Sequence, residues 1–198
     1  TETFGNEPLG EQVLAYVGDA VRRLLTPDAR LVPSELRILG RLVQLQDPIL
    51  AAHIFHPDQL QSWSASYGIE LAPLADLALM SPRALMLRPD EARTHTALSE
   101  AVELCRIDLR QPPARIDVTS TAVAMAPGRV DGAMVLFELT LSDQHTLTTD
   151  PITPTAATHW RVPMWLQPQR PVVAQGETVE LRYSFEGGRG RVEVRGAG

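Results

Sequence analysis

A single cysteine, Cys105, stands in a chain of 198 residues. That excludes an internal disulfide framework and a thiol-rich metal site, and it fits a reducing compartment with the cytoplasm as the default. The chain has no apolar run near the ~20 residues needed to cross a bilayer, and no charged-then-apolar leader opens it, so no membrane partner is expected. Positive charge is not in excess. A net charge of −6 and an isoelectric point near 5.4 argue against a nucleic-acid surface and favour basic ligands, drawn in by a long-range field. His53, His56, His95 and His145 are scattered without metal-ligand spacing, so no metal is expected. Internal repeats are absent, and long helical stretches are few. Sixteen prolines and thirteen glycines point instead to many short strands and turns. With 44% hydrophobic residues, the chain can bury the core of one domain or slightly more.

The first eleven residues form the stretch on which the rest is organised. Gly5, Asn6, Pro8 and Gly10 interrupt any helical or strand period, leaving Glu2 and Glu11 at the two mouths of a bend where they can converge on one ligand. Two converging carboxylates suit a guanidinium, whose planar fork of N–H donors accepts bidentate partners on more than one edge. A solvated acidic leader accounts for the same residues. From Glu11 to Leu25, Val13, Leu14, Val17, Val21, Leu24 and Leu25 recur at helical spacing until Thr26-Pro27-Asp28 stops the pattern. Glu11 is expected in the first turn of that helix, oriented by its dipole.

Arg30 to Ser34 and Leu36 to Leu45 read as extended, with Gly40 as a bulge. Asp47 to Pro82 then breaks the strand rhythm, mixing Phe55, Trp63 and Tyr67 with a short helical stretch from Leu71 to Leu79; it reads as an inserted arm. Period-2 alternation returns over Val102 to Leu109, Ile116 to Ala124, Val130 to Leu141, Val162 to Leu166, Thr178 to Phe185 and Arg191 to Val194. The expected class is mainly β, an antiparallel β-barrel or sandwich with an N-terminal helix and an inserted helical arm. Residues 1–28 would be the acidic loop and its helix, and residues 29–198 the β-barrel domain with the arm at about 47–82.

Thr158-His159-Trp160 follows a Thr/Pro-rich loop and precedes a strand, the position of a loop lip. A histidine beside a tryptophan offers one polar contact and one flat face, which attracts a guanidinium by stacking and cation–π contact. A surface histidine next to a core tryptophan accounts for the pair equally well. Gly187-Gly188-Arg189-Gly190 sits between two strands. It reads as a hairpin turn in preference to a site of arginine modification.

Taken in order, these segments resemble the protein arginine N-methyltransferase family along the whole chain. The loop Thr1-Glu2-Thr3-Phe4-Gly5 to Leu9-Gly10-Glu11 is similar to its two-glutamate loop, with the glutamates nine residues apart. The segment Leu24 to Pro33 resembles the one that follows the family's helix. Trp63-Ser64-Ala65-Ser66-Tyr67-Gly68-Ile69 looks like its dimerisation arm. Thr158-His159-Trp160 is similar to its threonine-histidine-tryptophan loop, and Val173-Ala174-Gln175-Gly176-Glu177 to a turn between late barrel strands.

The resemblance implies that Glu2 and Glu11 are catalytic. They would grip a substrate guanidinium and draw its charge toward themselves, so that an electron-rich nitrogen attacks the methyl of S-adenosylmethionine, with catalysis resting on placement and electrostatics. His159 and Trp160 would be substrate-binding residues, closing the arginine pocket from the barrel side. An arginine-containing protein or peptide would be the substrate, and the arm would build a homodimer. The family's Rossmann-like cofactor lobe precedes the two-glutamate loop, and residues 1–28 would be its remnant. No Gly-x-Gly-x-x-Gly follows a strand here, so no cofactor is expected bound to this chain. With no initiator methionine before Thr1, a piece of a longer methyltransferase is expected. A non-catalytic β-barrel module for protein interaction and dimerisation stays open as the alternative.

Overall fold

A computed structural model describes residues 3–53, 57–78, 82–153 and 159–196. In chain order the elements are α1 (Val13–Arg23), β1 (Glu35–Gln44), α2 (Asp47–His53), α3 (Pro57–Tyr67), α4 (Pro73–Ala78), β2 (Arg83–Leu87), α5 (Pro89–Ala92), β3 (Thr96–Ala97), β4 (Val102–Asp108), β5 (Ile116–Val123), β6 (Gly128–Arg129), β7 (Gly132–Ser142), β8 (His145–Thr148), β9 (Val162–Leu166), β10 (Val172–Val173), β11 (Thr178–Glu186) and β12 (Arg189–Gly196). The protein is mainly β, and every strand pair is antiparallel.

Strands β1 and β7 are the centre of the architecture. They pair along nine residues, from Glu35 opposite Thr140 to Val43 opposite Gly132, and both bury apolar side chains on both faces. Alternation sends Leu36, Ile38 and Leu42 of β1 with Val135, Phe137 and Leu139 of β7 into one core, and Leu39 and Val43 with Met134 and Leu136 into another. The larger core is closed by the three-stranded sheet β12-β11-β5 through Ile116, Ala122, Val179, Leu181, Tyr183, Phe185 and Val192. The smaller one is closed by Leu50 of α2, Ala92 of α5 and the apolar side of β2 and β9. A seven-stranded sheet, with the order β2-β9-β7-β1-β3 and with β4 on β1 and β8 on β7, therefore lies between two apolar layers. Among the described residues the sheets do not close into a continuous hydrogen-bonded barrel; side chains and links such as Ser120 Oγ to the Glu103 carbonyl (2.8 Å) join β4 to β5.

The structure differs from the sequence expectation in several places. Residues 30–34 run as an irregular lead-in, because Pro33 has no N–H to give to a ladder, and pairing starts when the Ser34 N–H reaches the Thr140 carbonyl at 2.9 Å. The register shift lies between Ile38 and Leu39 against β4, not at Gly40; there Leu104 is the extra residue, and its side chain lies over Gly40, where a Cβ would stand 3.1 Å from Leu104 Cδ1. Among its described residues the arm carries three helices where one was read; of the expected stretch from Leu71 to Leu79, Pro73–Ala78 forms α4 and Leu79 lies outside the described residues. Phe55 lies outside the described residues. Within the arm Leu60 is buried, Trp63, Leu71 and Leu74 are half-buried, and Tyr67 and Ile69 are exposed. Arg83 to Leu87, just past the arm and not read as a strand, forms the sheet-edge strand β2.

All eighteen basic side chains are arginines. The most enclosed, Arg41 on β1, makes a two-pronged bond to Asp150, with Nη1 and Nη2 each 2.7 Å from a carboxylate oxygen. This pins the start of the loop that runs from β8 toward His159.

Candidate functional site

The acidic loop is plugged into the larger core by its middle. Leu9 is fully buried, Pro8 is buried and Phe4 packs against the same cluster. Two backbone bonds shape it, Gly10 N–H to the Glu7 carbonyl (3.0 Å) and Gln12 N–H to the Leu9 carbonyl (3.3 Å). Gln12 then takes a left-handed conformation, φ 59°, before α1 begins at Val13. Glu11 therefore precedes the helix and is not in its first turn, which corrects the expectation from sequence: the reversal at Gln12 separates it from the helix start. The exposed Glu11 side chain folds back over Gly5, where a Cβ would meet Glu11 Cγ at 3.1 Å and Oε1 at 3.3 Å. Glu2 and Thr158 lie outside the described residues.

Trp160 is half-buried. Its edge meets the ring of Phe137 on β7, with centroids 5.4 Å apart and planes at 73°, and its Nε1–H donates to the Phe4 carbonyl at 2.9 Å. The exposed His159 ring lies 3.7 Å from the Trp160 ring, tilted by 39°. The next residue adds a second tie, with the Arg161 N–H donating to Asn6 Oδ1 at 2.7 Å. Phe4 and Asn6 flank Gly5, the residue under Glu11, so these two bonds bring the Glu11 carboxylate and the His159–Trp160 pair to one region of the surface.

Phe4, Asn6 and Glu7 were not singled out from sequence. Glu7 turns its carboxyl inward toward the hydroxyl of the fully buried Tyr183, at 3.5 Å. Burial raises its pKa from 4.5 to about 7, opposed by the Tyr183 bond. One sequence signal existed: Tyr183 takes an inward position of β11 otherwise filled by Val179, Leu181 and Phe185, and a buried phenol needs a partner.

The dense glycine cluster forms the turn between β11 and β12. Glu186 pairs with Arg189 across Gly187 (φ 59°) and Gly188 (φ 79°), a two-residue connection with both central residues at positive φ. It is not the strand-to-helix phosphate turn that a nucleotide cofactor needs. No strand among the described residues leads through a glycine-rich turn into a helix. Nor do they hold a group of three His, Cys, Asp or Glu side chains placed for a metal, and none of their helices is long and apolar enough to cross a membrane.

Residues 49–193 match the family model described as the arginine methyltransferase oligomerization subdomain. The chain belongs to the arginine methyltransferase family. Within it, an arginine N(omega)-methyltransferase of Streptomyces achromogenes subsp. streptozoticus is 30% identical over 188 residues, 94% of this chain and 48% of that protein. This arginine methyltransferase chain thus spans about half the length of that relative and corresponds to the family's C-terminal half. In fold it resembles the Trypanosoma brucei PRMT1 enzyme–prozyme heterotetrameric complex with AdoHcy, at a TM-score of 0.74 and 18% identity, over 100% of this chain and 62% of that one.

Proposed function

We propose that the chain is the substrate-binding and oligomerising half of an S-adenosylmethionine-dependent protein arginine N-methyltransferase, inactive without a Rossmann-like cofactor lobe. The observation that carries this reading is the bond from Trp160 Nε1–H to the Phe4 carbonyl, which holds the acidic loop against the His159–Trp160 lip. In this reading Glu11, together with Glu2, takes the guanidinium of an arginine side chain in charge-assisted hydrogen bonds. Its flat face rests near Trp160 and His159. Polarisation toward the carboxylates leaves the distal nitrogen electron-rich, so that this half works by orienting and electrostatically preparing the acceptor, not by strong-base catalysis. The cofactor supplies the methyl group and is held outside the described residues.

The Streptomyces relative, named for transfer to an ω nitrogen of arginine, supports the guanidinium as acceptor. The oligomerization-subdomain match and the heterotetrameric neighbour support an arm-mediated oligomer, of which a homodimer is the simplest form. The single half-buried thiol, Cys105, suits the cytoplasm. The test is transfer of a labelled methyl from S-adenosylmethionine by the full-length protein to an arginine-containing peptide, followed by amino-acid analysis. Label on an arginine nitrogen is expected. No transfer to any guanidine, with peptide binding intact, would turn the reading toward a non-catalytic interaction module.

A further inference from the structure

The acidic loop carries a third carboxyl, that of Glu7, which is turned into the protein. It points into a notch of the β11–β12 hairpin. The notch exists because residue 190 is glycine: a Cβ there would stand 2.6 Å from Glu7 Oε1 and 3.2 Å from the Tyr183 hydroxyl. Gly190 lies opposite Phe185 in a regular antiparallel ladder and is not among the positive-φ residues. Its backbone therefore does not demand glycine, and what the missing side chain provides is room for a carboxyl. From that seat the connection to the exposed face is short. The Glu7 carbonyl accepts the Gly10 N–H at 3.0 Å, which turns the chain so that the next residue, Glu11, folds over Gly5 between the two anchors Phe4 and Asn6.

We propose that Glu7 is a positioning residue: its carboxyl, seated in the notch that Gly190 leaves beside Tyr183, fixes the acidic loop on the hairpin and thereby sets where Glu11 stands. The proposal rests on the reading of Glu11 as a guanidinium ligand. Its physical core, the seating of the loop, is measurable without any reaction.

The seat is also pH-sensitive. Removal from water raises the Glu7 pKa from 4.5 to about 7, so folding takes up a proton. The stability contributed by the seat is complete below about pH 4.5 and is lost as pH rises through about 7. The titratable and charged groups around it are Tyr183 on β11, which bonds it; Cys105 on β4, close enough to act on the Tyr183 phenol; and Glu11 in its own loop. Arg189 and Arg191 flank Gly190 on β12 and point to the opposite face of the strand, Arg191 pairing with Glu193.

The reporter is the Trp160 indole N–H, whose acceptor Phe4 belongs to the loop. Nitrogen-15 NMR of the chain resolves the three indoles of Trp63, Trp160 and Trp165, with Trp160→Phe for assignment. A His159→Asn background removes the second ring from beside the reporter. The Trp160 indole proton should exchange about tenfold faster in Glu7→Ala and in Gly190→Ala, the loss of one buried hydrogen bond. The Trp165 indole and the amides of β1 and β7 should stay unchanged as controls of folding. Its resonance should shift with a midpoint near pH 7 where Glu7 is present, matching the raised pKa. In Glu7→Gln it should stay protected and not titrate. Unchanged exchange in Gly190→Ala, or a titration that persists in Glu7→Gln, overturns the proposal, and both measurements stand if Glu7→Ala does not fold. In the full-length protein, Glu7→Ala should lower kcat about tenfold with a smaller change in KM, and Glu7→Gln should restore it. A full-length protein that methylates nothing while the indole results hold would sink the methyltransferase reading and leave the seat intact.

Discussion

The Trp160 indole donates to the Phe4 carbonyl at 2.9 Å across 156 positions of sequence. The donor sits on a ring wedged against Phe137 of the central strand β7, and the acceptor belongs to a loop plugged by Leu9 into the same core. The opening of the chain and its late loop therefore share one rigid support. A site built from two loops gains fixed geometry only when such a support exists, because each loop alone has few buried contacts to hold it.

In the full-length protein, Glu11→Gln is expected to cut kcat by ~10²-fold or more while changing peptide affinity far less, because the charge it removes matters most as charge builds in the transition state. Single-turnover methyl transfer alongside equilibrium peptide binding separates the two. Turnover within a few-fold of wild type would rule out Glu11 as a member of the clamp.

The Arg41–Asp150 pair offers a test of the framework behind the site. With side chains only 6% and 15% exposed, neither charge has water to fall back on. Arg41→Met leaves Asp150 uncompensated and should cost roughly 3–5 kcal/mol. Urea denaturation of the chain measures this, and Arg41→Met with Asp150→Asn should recover part of the loss, since the orphaned charge is then gone. Equal midpoints for wild type and Arg41→Met would mean that the loop toward His159 is anchored by other contacts.

The strands legible in the sequence are those whose own alternation meets a core. Val162 to Leu166 coincides with β9, and the stretches around β4, β5, β7, β11 and β12 differ from the observed bounds by at most two residues at either end. Strand β2 escaped because only Leu85 and Leu87 are buried along it and its identity comes from pairing with β9. The two-residue strands β3, β6 and β10 are too short to show a period at all. Helices α2 and α3 carry one buried leucine each, Leu50 and Leu60, too little pattern to read locally. At the site, His159 and Trp160 stood out through their place between a Thr/Pro-rich loop and a strand and through resemblance to the family's threonine-histidine-tryptophan loop. Glu7 did not, because a glutamate in a loop reads as solvated until the partner strand that buries it is known.

The chain alone is expected neither to bind S-adenosylmethionine nor to transfer a methyl group, because no Gly-x-Gly-x-x-Gly follows a strand in its sequence. Calorimetric titration with the cofactor should give no heat of specific binding. Micromolar affinity would place a cofactor site within these residues and overturn the assignment of that site to a separate lobe.

The arm tests the oligomer. Helices α2, α3 and α4 leave the sheet between β1 and β2 and turn little of their apolar surface into the protein's own cores, with Leu50 and Leu60 buried but Tyr67 71% and Ile69 60% exposed. A two-fold contact needs only one self-complementary patch, so pairing between arms is the simplest way to cover such a surface. Sedimentation velocity of the chain should show a concentration-dependent dimer, and replacement of residues 47–82 by a short Gly/Ser linker should give a monomer. Since Leu50 also seals the smaller core, a second variant that keeps α2 and substitutes only the exposed positions, Tyr67→Ser with Ile69→Ser, separates loss of pairing from loss of folding. It should weaken the dimer at least several-fold and leave the urea midpoint at low protein concentration unchanged. If the chain, the linker variant and the double substitution all sediment as the same well-ordered monomer, the segment is ordinary surface and has no part in assembly.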